Sequence, residues 1–259
     1  MMQNTMLRRT ICVLLGVLLY AGVFQAFAQT AAPTTQRAPE PADQPHVKIA
    51  RNGQPDPRFL QLHESFLARA KQGPIGVLFL GDSITERWNR APDVFKAHYD
   101  KYQPANFGIS GDRTEHVLWR IANGELDNIH PKVVVLMIGT NNYRYSADEI
   151  YAGVKAIVDQ IHTKLPDSKL LLLAIFPRFH DPSTQPSQAA VREKLTSVNQ
   201  RLAQLDDGNK TRFLDIGDKF LDANGVLQPE IMADYLHPTP KGYEIWANAM
   251  QPTLDEMMK

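Results

Sequence analysis

The chain has 259 residues, 43% hydrophobic and 22% charged, with 28 basic and 28 acidic side chains. That is enough chain for one sizeable core, and one domain is the default reading. The balance of charge argues against a phosphate-backbone partner, so no nucleic acid is expected.

Residues 1 to 28 have the plan of an export signal: Arg8 and Arg9 precede the apolar run "ICVLLGVLLYAGVF", and Ala26-Phe27-Ala28 gives a small-x-small ending. Cleavage is expected after Ala28, with a periplasmic or extracellular protein and no stable membrane insertion as the result. The rival is an uncleaved anchor, because the run is nearly long enough to span a bilayer when tilted. Cleavage removes two arginines and no acid, leaving 26 basic against 28 acidic residues. It also removes Cys12, the single cysteine, so the mature chain has no disulfide and no thiol chemistry. Residues 29 to 56 begin with a stretch rich in Pro, Ala, Thr and Gln and read as a flexible linker, with folded structure expected from Pro57 to residue 259.

The first helix is predicted over "PRFLQLHESFLARAK" (57 to 71), where Phe59, Leu62, Phe66 and Leu67 recur at helical spacing before Gly73-Pro74. The apolar run in "VLFLGDSITERW" (77 to 88) follows, then "ANFGI" (105 to 109), "KVVVLMIG" (132 to 139), "KLLLLAIFP" (169 to 177) and "TRFLDIG" (211 to 217). Helices are predicted over 114 to 126, 146 to 165, 187 to 205 and 239 to 258. Short, continuously apolar strands alternating with helices predict a five-stranded, mostly parallel sheet buried on both faces, in a three-layer α/β/α sandwich. Ligands bind such sheets beyond the carboxyl ends of the strands, so the residues just after each run are the ones to inspect.

Ser83 follows the first strand directly. Its hydroxyl would stand at the crevice floor and its N–H at a helix start, able to attack a carbonyl and to donate to the resulting oxyanion; the bland alternative is a helix cap. Gly81 permits a tight turn there. The second strand end, "NFGISGDRT", carries Gly108, read as a positive-φ turn residue, and Gly111, which could offer an unshielded N–H. At the third, "MIGTNNY", Asn141 is the expected oxyanion-hole donor and Asn142 a turn or support residue. In "DYLHPTPKGYEIW" the spacing of Asp234 and His237 lets a carboxylate hold one ring nitrogen and leave the other facing Ser83; alone, this segment would read as a helix-entry turn.

Together these blocks resemble the SGNH hydrolases, the GDSL esterase/lipase family: Ser83 in "GDSIT", Gly111 in "GISGD", Asn141 in "GTNN", and Asp234 and His237 in "DYLHP". The stretch from "NFGISGDRTEHVLWRIANGEL" to "VVVLMIGTNN" is most similar to the branch containing the catalytic subunits of platelet-activating-factor acetylhydrolase. The resemblance spans about residues 57 to 250, and Ile84 stands where the family name has Leu. It implies a flavodoxin-like fold and Ser83 as nucleophile, His237 as base and Asp234 as its orienter. The oxyanion hole it implies comes from the N–H groups of Ser83 and Gly111 and the Asn141 side chain. No cofactor or metal is implied; a homodimer is left open, since the branch includes dimers.

The other histidines, at 46, 63, 98, 116, 130, 162 and 180, show no metal-ligand spacing, and no nucleotide-binding glycine motif is present. No apolar insertion reads as a lid for lipid aggregates. The loop "PRFHDPSTQPSQ" is polar and expected to border the crevice, where Arg178 and Phe179 either contact the alcohol part of a substrate or, for Arg178, pair with a surface acid. Tyr143 and Arg144 carry the same two readings. The expected substrate is a short-chain, especially acetyl, ester of carbohydrate or another soluble alcohol. The alternatives are a lysophospholipase or thioesterase, and a non-catalytic binding protein on the same fold.

Overall fold

The computed structural model describes residues 40–179 and 186–259. The expected signal segment, residues 29 to 39 of the expected linker, and His180 with the rest of the 180–185 stretch lie outside the described residues.

Five strands, β1 (Val77–Gly81), β2 (Pro104–Gly108), β3 (Val133–Met137), β4 (Lys169–Leu173) and β5 (Thr211–Leu214), form one sheet in the order β2-β1-β3-β4-β5. Every pairing is parallel, and Gly81 is in register with Gly108 on one side and Met137 on the other. The helices are α1 (Pro57–Ala70), α2 (Ser83–Glu86), α3 (Pro92–Tyr99), α4 (Thr114–Ala122), α5 (Ala147–Lys164), α6 (Pro186–Leu202) and α7 (Pro240–Met257).

Successive strand residues point to opposite faces, so a continuously apolar strand feeds two cores. Leu78, Leu80, Phe107, Val134, Leu136, Leu170 and Leu172 pack with α1, α4, α5 and α6, where Phe66 stacks on Phe107 at 4.6 Å. Val77, Phe79, Val133, Val135, Met137, Leu171 and Leu173 pack with α7 and the segment after α2. The second core is dense in aromatic rings: Trp88 lies 4.5 Å from Tyr243 and 4.8 Å from Trp246 between ring centres. Trp119, by contrast, belongs to the first core, 5.4 Å from Phe59. The three-layer α/β/α sandwich expected from the sequence is the fold observed.

Helix starts follow local chemistry. Asp56 accepts from the amides of Arg58 and Phe59 with Pro57 in the first turn. Ser146 and Glu149 form a reciprocal capping box on α5. The strand order reverses between β1 and β3, and ligands bind at such switch points in open parallel sheets. Ser83, Asn141 and the loop holding Gly111 all fall there.

Two expectations need correction. Residues 40 to 56, assigned to a linker, lie against the domain: Ala42 is buried, its carbonyl accepts from Thr114 Oγ1 at 2.7 Å, and His46 N donates to Glu115 O at 3.0 Å. The segment attaches chiefly through backbone groups, which composition does not reveal. An additional helix, α3, was not named from the sequence; it is eight residues long, buries Tyr99 fully and Val94 and Phe95 in part. Among the described residues no helix is long and apolar enough to cross a membrane.

Candidate active site

β1 ends at Gly81, Asp82 caps the short helix α2 through Ile84 N at 2.9 Å, and Ser83 is the first helical residue, 5% exposed. Burial pushes the Asp82 carboxyl up to about 7. α2 can lie this close because the sheet end has no side chains to obstruct it. A Cβ on Gly81 would sit 2.4 Å from Met137 O, and one on Gly108 2.3 Å from Glu86 N. Gly108 does not have a positive φ, so the expected turn role is corrected: glycine is required by close approach of backbone.

The loop before α7 supplies the other groups. Asp234 Oδ1 accepts from the amides of Leu236 at 3.2 Å and His237 at 2.7 Å, closing a tight turn. Asp234 Oδ2 lies 2.6 Å from His237 Nδ1, and His237 Nε2 lies 2.9 Å from Ser83 Oγ. The three side chains named from the sequence thus form one continuous relay. Burial alone would raise the Asp234 carboxyl, but the hydrogen bonds it accepts from His237 outweigh this and hold it below the usual carboxylate range. Burial lowers the His237 pKa; Asp234 pulls it back in part, and the positive charges of Arg87 and Arg90 push it down further. The imidazole is therefore neutral near pH 7, with a proton on Nδ1 facing Asp234 and a lone pair on Nε2 facing the serine.

The opposite wall is the loop after β2. Gly111 is exposed with φ +77, and neither its amide nor that of Ser83 donates to a protein group among the described residues. Asn141, half-buried in a one-turn helix after β3, donates from Nδ2 to Asp112 O at 2.8 Å. An amide nitrogen carries two protons, so one remains for the crevice. Asn142 is fully buried and turns inward, accepting from Thr114 N at 3.1 Å and donating to Glu115 Oε2 at 3.1 Å, the support role expected of it.

Arg178 has partners that neither sequence reading named. It is buried at 6% exposure, donates to Thr140 O at 2.8 Å, and its guanidinium lies over the rings of Tyr143 at 5.0 Å and Phe179 at 4.2 Å. Phe179 N in turn donates to Tyr235 O at 3.2 Å. Arg178 and Phe179 thus tie the Asn141 loop to the loop carrying Asp234 and His237, and Tyr143, half-buried, packs on that clamp. A guanidinium buried to this degree needs polar partners around it, and Thr140, which supplies both its carbonyl and its hydroxyl, is one that sequence alone does not show.

Two further side chains hold the site and were not singled out. Glu86 Oε2 accepts from Ser110 N at 2.6 Å, joining α2 to the Gly111 loop. Arg120 is fully buried, bonds Phe107 O at 3.0 Å and Gly81 O at 3.3 Å, and pairs with Asp112 and Glu125. A signal for Arg120 was present: a charge on the apolar stripe of α4 beside Val117 and Ile121. Glu86 gave none.

A serine, histidine and carboxylate in relay at the switch point of a parallel α/β sheet define a serine hydrolase. The chain belongs to the GDSL-like Lipase/Acylhydrolase family, whose model matches residues 79–245. It is an ester-hydrolysing enzyme of that family. The chain is 37% identical over 204 residues to platelet-activating factor acetylhydrolase IB subunit alpha2 of Rattus norvegicus, covering 78% of this chain and 85% of that protein. It is 35% identical over 202 residues to the alpha1 subunit of Homo sapiens, covering 78% and 84%. The fold is like that of a GDSL-like lipase from Bacteroides thetaiotaomicron, with a TM-score of 0.61 and 24% identity over 75% of this chain and 97% of the other.

Proposed function

We propose that the protein removes acetyl and other short acyl groups from carbohydrate or another soluble alcohol through a covalent intermediate on Ser83. The observation that carries the chemistry is the unbroken relay Asp234–His237–Ser83. Ser83 Oγ attacks the ester carbonyl while His237 Nε2 takes its proton. The oxyanion is held by the amides of Ser83 and Gly111 and the free proton of Asn141 Nδ2. Collapse expels the alcohol, which receives the proton from His237, and a water deprotonated by the same ring then releases the acid.

The acetyl preference is supported by likeness to the platelet-activating factor acetylhydrolase subunits. Those names also favour a second reading, in which platelet-activating factor itself is the ester cleaved. Residues 1 to 28 support export to the periplasm or medium, checked by N-terminal sequencing of the protein recovered there. A homodimer is the assembly to test, by sedimentation.

The deciding experiment is hydrolysis of p-nitrophenyl acetate, butyrate and octanoate by residues 29 to 259, beside Ser83→Ala and His237→Ala. Greatest activity on acetate, lost in both variants, supports the proposal; clear preference for octanoate overturns the short-acyl part. Acetylated xylose set against platelet-activating factor then separates the two readings.

A further inference from the structure

Lys48 comes from the segment ahead of α1, outside the blocks that carry the family resemblance. Its Nζ donates to the carbonyl of Ser110 and lies 3.3 Å from Asp112 Oδ1, so the ammonium straddles Gly111. The side chain is 16% exposed. A Cβ on Gly111 would come within 3.2 Å of that nitrogen.

The peptide joining Ser110 to Gly111 is a planar unit. In the usual trans form its carbonyl oxygen and its N–H point in opposite directions. No cis peptide bond is present among the described residues. A group that holds the Ser110 carbonyl on the outer side therefore aims the Gly111 N–H the other way, towards the crevice. Hydrogen bonding to the carbonyl also polarises the amide and strengthens its N–H as a donor. Asp112 N donates to Ile109 O at 3.1 Å and closes a turn around this peptide, with Gly111 at φ +77, and Lys48 adds a hold on the peptide carbonyl from outside the loop.

We propose that Lys48 is a positioning residue for the oxyanion hole, and that residues 40 to 56 are a strap built to deliver it. The strap is fastened along its length. Tyr145 OH donates to Glu40 O at 2.9 Å and Thr114 Oγ1 to Ala42 O at 2.7 Å, and Gly153 leaves room for that Ala42 carbonyl. His46 N bonds Glu115 O, and the backbone of Lys48 itself is held by Asp56 N at 2.8 Å. The backbone is thereby tied two residues before Lys48 and at Lys48 itself, and its side chain has a defined origin from which to reach Ser110. Other contacts hold other atoms of the loop: Glu86 on Ser110 N, Asn141 on Asp112 O and Arg120 beside Asp112 Oδ2. Among the described residues only Lys48 acts on the carbonyl of the peptide that carries the donor.

The inference rests on the esterase reading of the site. The test measures kcat, KM and thermal midpoint of the full mature chain on p-nitrophenyl acetate for Lys48→Met, Lys48→Gln and the unmutated protein. Expected is a fall in kcat of about tenfold or more in Lys48→Met, below the ~10²–10³ typical of removing an oxyanion donor itself, with KM within about twofold. Lys48→Gln, which keeps an N–H donor, is expected to fall less, and it carries the comparison if Lys48→Met does not fold. A kcat within twofold of unmutated in both variants, or a loss confined to KM, overturns the proposal. An unmutated chain that hydrolyses no ester and takes no fluorophosphonate overturns the esterase reading and this one together; an active chain indifferent to Lys48 overturns the strap alone.

Discussion

Asn141 donates from its side-chain amide to the backbone carbonyl of Asp112 at 2.8 Å, so the residue offered to the oxyanion is also the brace between the loops after β3 and β2. Asn141→Ala removes both functions. A fall in kcat of about 10²–10³ is expected, as for loss of an oxyanion donor, with KM little changed. Steady-state kinetics on p-nitrophenyl acetate check it, and a variant that kept full turnover would remove Asn141 from the oxyanion hole.

A base must be neutral to accept the serine proton, so kcat/KM should rise with pH and level off. Because burial lowers the His237 pKa from 6.5, the midpoint of that rise is expected below 6.5. Arg87, whose Nη1 lies 3.8 Å from Asp234 Oδ2, contributes to the lowering. Arg87→Ala removes a positive charge that opposes the imidazolium, so the rise should move to higher pH. A pH profile of both proteins decides the sign, and a shift to lower pH would contradict this electrostatic account.

Asp82 titrates the other way. Its carboxyl is raised from 3.8 to about 7 by burial, so the folded state favours the protonated form. The resulting stabilisation is complete below about 3.8 and is lost as pH rises through about 7, a span worth at most ~4 kcal/mol. Asp82→Asn keeps an oxygen for the Ile84 amide and cannot ionise. Its thermal midpoint should fall less than that of the unmutated protein between about pH 4 and 8. Part of the slope should remain, because burial also raises Asp112 to about 6. Identical slopes would show that Asp82 stays ionised.

Gly108→Ala tests how tightly α2 is seated. The new Cβ would meet Glu86 N at 2.3 Å and Glu86 Cα at 2.8 Å, backbone atoms that cannot rotate aside. A cost of about 1–3 kcal/mol is expected, with lower turnover per folded molecule because Ser83 moves with α2. Chemical denaturation and active-site titration measure the two effects; unchanged turnover would mean that α2 shifts without carrying Ser83 off the relay.

Much of this was legible in the sequence because the signals were strong and local. Continuous apolar strands such as Val133 to Met137 can only be buried on both sides, and the helix periods of α1, α5 and α7 run over 14 to 18 residues. Ser83, Asp234 and His237 were readable because each sits immediately beyond an element or beside its partner in the chain. What was missed depends on partners distant in sequence. Arg178 resembles a surface cation until Thr140 and the two rings are placed around it. Gly108 resembles a turn glycine until α2 is laid on it. The 40 to 56 segment is held in large part by backbone amides and carbonyls that every residue possesses, so its packing leaves little trace in residue type.

The division of the aromatic residues between the two faces of the sheet gives the protein two separable optical reporters. Trp88 and Trp246 are both 1% exposed or less and face each other beside Tyr243, whose hydroxyl bonds Ile84 O one residue from the nucleophile. Trp119 is only partly buried and lies across the sheet against Phe59 and His63. Emission from the buried pair should be blue-shifted and shielded from aqueous quenchers, and that from Trp119 redder and more accessible. Quenching-resolved fluorescence can then follow acylation beside Ser83 and loosening of the strap side in the same sample, without an added label.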